Sequence, residues 1–584
     1  MVRPSVRRSS DWWRDRLTLM TVGVGLMASL VLLRLFTLQV VNYGFYEALA
    51  QDQHQLSQEL YPARGDILVH DRQAATGTYP LATNQTLHLL YAIPKQVTKP
   101  ADVAATLAPL VGVDEATLFA RLNKPNDLYE PIQHELTDAK QTEIAALKIT
   151  GLYFADENTR YYPEKNIGAN VLGFVGYDGD KKVGRYGLEG AHEAVLAGRQ
   201  GFLKAEKDAS GQLIATAAQF WQPAIDGSDI ILTIDRTIQF EACQALNEAV
   251  KKHGADNGSL VILDPHTGAV MAMCGAPDYD PNAYGQVKDV KTFLNSATQE
   301  PYEPGSVFKP FTMAAALNEG KVVPDTTYTD TGEVKVGSFT IRNSDLKANG
   351  VQTMYEVLEK SLNTGAIFAM QQIGPSTFER YVQAYGFGQP SGIELDEASG
   401  NISSLSKGKD IYAMTGSFGQ GLTVTPLQLA AGFAALANGG KLMQPYLIDR
   451  IVKPDGTATV TQPKTVRQVV SAKTSATIGA MLVRVVQNGH GKRAGVPGYF
   501  VAGKTGTAQI ADPTTGQYET NQTIGTFAGF APVENPRFVM VVKLVRPKDV
   551  QFAESSAAPL FGNLARLLLL YLGVPPADPA ATGQ

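Results

Sequence analysis

Ser306 and Lys309, within Glu303-Pro304-Gly305-Ser306-Val307-Phe308-Lys309-Pro310-Phe311-Thr312, combine residue types and a spacing that can do chemistry. A serine hydroxyl is a weak nucleophile and needs a base beside it. A lysine held away from water can be that base, because burial disfavours its ammonium form. Three residues apart on a helix, the two share one face. Pro304-Gly305 reads as a turn, and Met313-Ala314-Ala315-Ala316-Leu317 as a buried helix. Pro310 suits a first helical turn. The helix is therefore expected to begin near Ser306, with its N-terminal N–H groups where an oxyanion would form.

Ser-x-x-Lys also occurs at Ser344, Ser404 and Ser406, so the tetrapeptide alone decides nothing. Ser404 and Ser406 lie in a polar stretch rich in Gly and Lys, and Ser344 in the loop-like Asn343-Ser344-Asp345; only Ser306 opens a buried helix. Two further strings complete a set. Lys504-Thr505-Gly506-Thr507 follows an apolar strand over 500–503. There the N–H of Thr507 could face an oxyanion, Lys504 and the threonine hydroxyls could bind a carboxylate, and Gly506 would allow close backbone approach. Ser361-Leu362-Asn363 lies between two helical runs, its hydroxyl able to relay a proton and its amide to hold a peptide group. Ser399-Gly400-Asn401 and His266-Thr267-Gly268 imitate these strings. A hairpin turn accounts for the latter.

The elements that must position this set follow from periodicity. Strands are expected over 230–234, 259–263 and 269–274, the last two joined by Asp264-Pro265-His266-Thr267-Gly268 as a hairpin. An amphipathic helix is expected over 237–252. After Ser306 come a polar, turn-rich insertion over 319–350 and helices over 353–360, 364–372, 375–384, 426–437 and 472–487. Residues 450–470 are strand-like. Late strands over 499–503, 524–530 and 538–544 precede a last helix over 558–572, with Phe561, Leu564, Ala565, Leu568 and Leu572 on one face. Early and late strands with a helical middle predict an α+β domain: one antiparallel sheet built from both ends, covered by helices, with a helical subdomain.

A chain of 584 residues exceeds one core. Net charge of −5 gives no sign of nucleic-acid binding. Cys243 and Cys274 have no zinc or redox spacing and read as buried free thiols, a disulfide being the alternative. No metal site is expected. Arg3, Arg7, Arg8, Arg14 and Arg16 precede an apolar run over 17–41, interrupted by Arg34, that is long enough to span a bilayer. The arginines predict a cytoplasmic tail over 1–16, and the length of the run an uncleaved anchor. Gly23-Val24-Gly25 lies within that run and is no dinucleotide loop. Residues 42–225, of mixed α/β pattern, read as a spacer or docking domain, a pedestal of dimerisation-like type, whose charged residues are solvated. A boundary falls near 223–227, a catalytic domain spans 226–573, and the Pro/Ala tail over 574–584 is expected to be disordered.

The ordered set Ser306/Lys309, Ser361/Asn363 and Lys504/Thr505/Gly506 resembles that of penicillin-binding proteins. Arg64-Gly65-Asp66-Ile67, Leu232-Thr233-Ile234-Asp235 and Ala502 to Gln509 extend the resemblance to the class B, monofunctional peptidoglycan D,D-transpeptidases. Ser417-Phe418-Gly419-Gln420-Gly421 with Thr423-Val424-Thr425-Pro426 is similar to the division type rather than the elongation type. The middle motif carries Leu362 where class A β-lactamases carry Asp. Because no repeat follows the last helix, the small C-terminal repeats of some relatives are not expected here. The resemblance implies that Ser306 attacks the penultimate D-Ala of a D-Ala-D-Ala stem peptide and Lys309 takes the proton. It implies that Ser306 and Thr507 N–H groups hold the oxyanion, Ser361 protonates the leaving D-Ala, and Lys504 and Thr505 anchor the carboxylate. An amine of a second stem peptide then attacks the acyl-enzyme. No cofactor is implied. β-Lactams, a SEDS-type membrane glycan polymerase and division proteins are the implied partners, at the plasma membrane. A β-lactam sensor or scaffold, and a carboxypeptidase or β-lactamase using water, are the alternatives. For the latter, Glu359 imitates a deacylating base but reads as a solvated carboxylate.

Overall fold

The structure is a computed structural model that describes residues 16–44, 55–179, 181–206, 220–511 and 517–577. The expected tail over 1–16 lies outside these residues except for Arg16, as do residues 578–584. The described chain forms two compact units, one of 1–62 with 199–225 and one of 63–198 with 226–584. In the first, an apolar helix runs Arg16–Phe36 and continues as a wider turn over Thr37–Val41. Arg16–Val41 is long and apolar enough to cross a membrane. The same unit holds an antiparallel three-stranded sheet of Gln55–Leu60, Gly201–Glu206 and Phe220–Gln222.

The second unit is built on two sheets. In the five-stranded one, Val270–Ala276, Asn257–Leu263, Phe538–Val545, Tyr518–Ala531 and Ala502–Ala511 lie side by side in that order, all antiparallel. Two strands come from the start of the domain and three from its end, as the pattern predicted. Alternation along Phe538–Val545 divides its side chains between two cores. Val539 and Val541 join the core shared with helices Lys309–Asn318, Pro426–Ala437 and Ala472–Asn488 on one side. Met540, Val542 and Leu544 join the core of helices Arg236–His253 and Ala557–Tyr571 on the other.

The second sheet runs Ala458–Val460, Ile448–Val452, Asp229–Asp235, Ile67–His70, Thr78–Ala92 and Glu130–Leu136, with Leu152–Tyr161 also paired to Thr78–Ala92. Ile67–His70 pairs in parallel with Asp229–Asp235, so this sheet crosses the boundary expected near 223–227. Gly65 is required there: a Cβ would lie 1.9 Å from the Ser228 carbonyl oxygen.

Five expectations need correction. Cys243 and Cys274 are joined in a disulfide, because helix Arg236–His253 packs on strand Val270–Ala276 and brings their Cα atoms to 5.3 Å. Charged residues of 63–198 are not all solvated. Glu189 is fully buried and takes hydrogen bonds from Arg64, Arg160 and Tyr162. Glu359 is buried and paired with Arg484 at 2.7 Å. The tail is held at its start, where the Val574 carbonyl accepts from Tyr499 and the Ala577 N–H donates to Gly498. The insertion over 319–350 contains strands of two small antiparallel pairings, Thr327–Asp330 with Gly350–Thr353 and Glu333–Val336 with Phe339–Arg342.

Candidate active site

Ser306 lies on a 3-10 turn, Gly305–Phe308, and the α-helix proper is Lys309–Asn318. Proline explains the offset. Pro310 has no N–H to give the Ser306 carbonyl, so Lys309 N–H takes that acceptor in a tighter turn. The helix is buried from Lys309 to Ala316, and Thr312 ties it to the Ser417 carbonyl at 2.7 Å. Ser306 itself is half-buried.

Lys504-Thr505-Gly506-Thr507 lies within the edge strand Ala502–Ala511 rather than after a strand, because pairing with Tyr518–Ala531 continues through all four residues. A Cβ at Gly506 would sit 2.8 Å from the Pro304 carbonyl oxygen and 3.0 Å from Val307 N. Glycine here lets the strand lie against the turn that carries Ser306. The Thr507 hydroxyl accepts from Ala553 N–H.

Ser361 joins helix Met354–Glu359 to helix Asn363–Ile373 and adopts a left-handed φ of +57°. For a residue with a Cβ this conformation costs roughly 1–2 kcal/mol. Lys309 Nζ donates to both the carbonyl and, at 3.2 Å, the hydroxyl of Ser361, which offsets that cost. Lys504 Nζ reaches the same hydroxyl at 2.9 Å and the Thr505 carbonyl at 3.0 Å. Three strings far apart in the chain thus meet at one oxygen. Asn363 lies beside them and gives its side-chain N–H to the Arg342 carbonyl at 2.8 Å.

Both ammonium groups are out of water, at 1% and 0% exposure. Among the described residues neither has a carboxylate partner. Burial first, then the Lys504 charge, pushes the Lys309 amine well below the ordinary lysine range. Burial alone brings Lys504 down to about 7. Two cations sharing one hydroxyl cannot both stay charged cheaply, so the pair as a whole gives up a proton more readily than two separate lysines would. The arrangement can hold a neutral amine and a hydroxyl relay near a half-buried serine.

Residues 258–566 match the family described as the penicillin binding protein transpeptidase domain, and residues 59–232 the penicillin-binding protein dimerisation domain. The chain belongs to the class B penicillin-binding proteins. It is 34% identical to the stage V sporulation protein D of Bacillus subtilis, over 93% of this chain and 83% of that one. It is 29% identical to the peptidoglycan D,D-transpeptidase FtsI homolog of Mesostigma viride, over 95% of each. A crystal structure of penicillin-binding protein 3 from Mycobacterium tuberculosis, complexed with aztreonam, superposes with a TM-score of 0.69 at 30% identity. It covers 89% of this chain and 99% of that one.

In this penicillin-binding protein the imitating motifs have other duties. Ser404 donates to the Gly421 carbonyl and Ser406 to Glu379. Asn401 pairs with Thr423 through the backbone. His266-Thr267-Gly268 forms the hairpin turn under Asp264. Sequence reasoning missed Asp330. It is 1% exposed and accepts from Asn343, Asn349 and Thr364, seating the insertion on the helix that starts at Asn363. Its neighbours read as ordinary turn residues, and no spacing signals that they converge.

Proposed function

We propose that this chain is a membrane-anchored peptidoglycan D,D-transpeptidase that works through an acyl-enzyme on Ser306. The observation that carries the reading is the Ser361 hydroxyl held between Lys309 and Lys504 beside the Ser306 turn. Neutral Lys309 takes the Ser306 proton as the hydroxyl attacks the penultimate D-Ala carbonyl. The N–H groups of Ser306 and Thr507 receive the oxyanion. D-Ala leaves with a proton relayed through Ser361, and an amine of a second stem peptide takes the acyl group. Thr505, with the Lys504 charge behind it, receives the donor's terminal carboxylate, and Asn363 faces its peptide. The edge position of Ala502–Ala511 lets an extended substrate add as a further strand. β-Lactams acylate the same serine.

Residues 1–16 lie in the cytoplasm, 17–41 span the membrane, 42–225 form the pedestal and 226–573 the transpeptidase domain outside. A septal role with a SEDS-type polymerase and division proteins is the reading favoured over an elongation role. The Arg484 pair on Glu359 supports an amine rather than water as acceptor, since a carboxylate so engaged is a poor deacylating base.

Labelled penicillin is expected to map to Ser306, with an adduct that survives minutes to hours. With its polymerase, the purified protein is expected to cross-link lipid-linked substrate. Label on Ser344, Ser404 or Ser406 would refute the site. Rapid penicillin turnover abolished by Glu359→Gln would refute the transpeptidase.

A further inference from the structure

We propose that Glu303 is a positioning residue that clamps the nucleophile turn between two walls, the loop over 419–421 and the strand Tyr518–Ala531. The inference rests on the reading of Ser306 as nucleophile. The turn is squeezed from both sides. Gly305 has a φ of +61° and donates its N–H to the Gly419 carbonyl at 3.0 Å. A Cβ at Gly419 would lie 2.2 Å from the Gly305 carbonyl oxygen. On the other side Gly506 meets Pro304 and Val307 as described above. These close contacts set distance but little direction. Glu303 supplies direction: one carboxylate oxygen accepts the Gly421 N–H at 3.0 Å, and the other accepts the Tyr518 hydroxyl at 3.0 Å.

Each wall is thus tied to the residue three positions before Ser306. Gly421 belongs to the loop that also holds Gly305. Tyr518 opens the strand Tyr518–Ala531 that pairs with the Lys504 strand, its own register partner being Ala511. Among the described residues the carboxylate has no cationic partner, and burial holds it above the usual carboxylate range. A partly desolvated carboxylate without a counter-ion is a poor stability device. Two directed hydrogen bonds, one to each wall, give it a geometric purpose.

The test measures penicillin acylation by the full-length protein in detergent, separating the noncovalent dissociation constant from the acylation rate. Glu303→Ala is expected to slow the acylation step by about 10²-fold with the dissociation constant unchanged, the cost of a slightly misplaced nucleophile. Glu303→Gln, whose amide can still bond both walls, is expected to restore it. Tyr518→Phe is expected to slow it less, and to add nothing to Glu303→Ala. An unchanged acylation rate in Glu303→Ala, or equal losses in the Ala and Gln variants, would overturn the clamp. If Glu303→Ala does not fold, Tyr518→Phe decides: a slower step supports the clamp and an unchanged one overturns it. Label on a serine other than Ser306 in the unaltered protein would instead overturn the nucleophile.

Discussion

Two groups of buried cations in the same compact unit meet opposite fates. Around Ser361, Lys309 and Lys504 lie within reach of one hydroxyl and, among the described residues, have no carboxylate. In the other group, Arg64 and Arg160 close on Glu189, and Arg64 also on Glu193. Burial works against the charge of Arg64, but Glu189 and Glu193 more than offset it and its pKa rises. For the lysines nothing offsets burial, and their pKa values fall. A compensated buried charge is a fixed strut. An uncompensated one holds its proton less tightly than an ordinary lysine does. The site proposed above is the one where, among the described residues, the fold withholds a counter-ion.

The comparison can be broken most directly at Lys309. Lys309→Ala is expected to slow penicillin acylation by about 10²–10⁴-fold in a folded protein, read by stopped-flow labelling. A near-normal rate would remove Lys309 as base. At the strut the expected loss is in stability. Glu189→Ala takes the 2.7 Å carboxylate partner from buried Arg160 and leaves Arg64 with Glu193 alone; it should cost about 3–5 kcal/mol, measured by denaturant unfolding, with acylation by the folded fraction retained. Equal damage to both properties would erase the distinction.

Cys243→Ala with Cys274→Ala supplies a control away from both groups. Losing the cross-link between residues 31 apart in sequence should cost about 3–4 kcal/mol by loop entropy and leave the pH profile of acylation alone. The smallest effect is a slope. Above about pH 7 the folded Lys504 is largely neutral, whereas an unfolded lysine keeps its proton to about pH 10.4. The unfolded chain therefore binds more protons in that window, and stability rises with pH. Lys504→Met should flatten the rise by up to about 1.4 kcal/mol per pH unit while abolishing fast acylation. An unchanged slope would mean that Lys504 stays charged when folded.

Much of this was legible in the chain. Alternation and turn chemistry marked the strands of the catalytic sheet, and the run after Pro304-Gly305 marked the helix behind Ser306. These are local signals, carried by a few neighbouring residues. Pro310 even contained the reason for the 3-10 turn at Ser306, though the offset emerged only when the backbone bonds were followed.

The sequence by itself determined which residue types could react, and their order along the chain: Ser306 and Lys309, then Ser361 and Asn363, then Lys504 to Thr507. It also determined the apolar span over Arg16–Val41. Only the tertiary structure decided that Lys309 and Lys504 turn to the same Ser361 oxygen. It alone decided that Cys243 meets Cys274, that Glu189 and Glu359 are buried and paired, and that Asp330 gathers Asn343, Asn349 and Thr364. The physical reason is common to all of them. Charge state and bonding depend on burial and on partners distant in sequence, and no local pattern encodes the absence of a counter-ion.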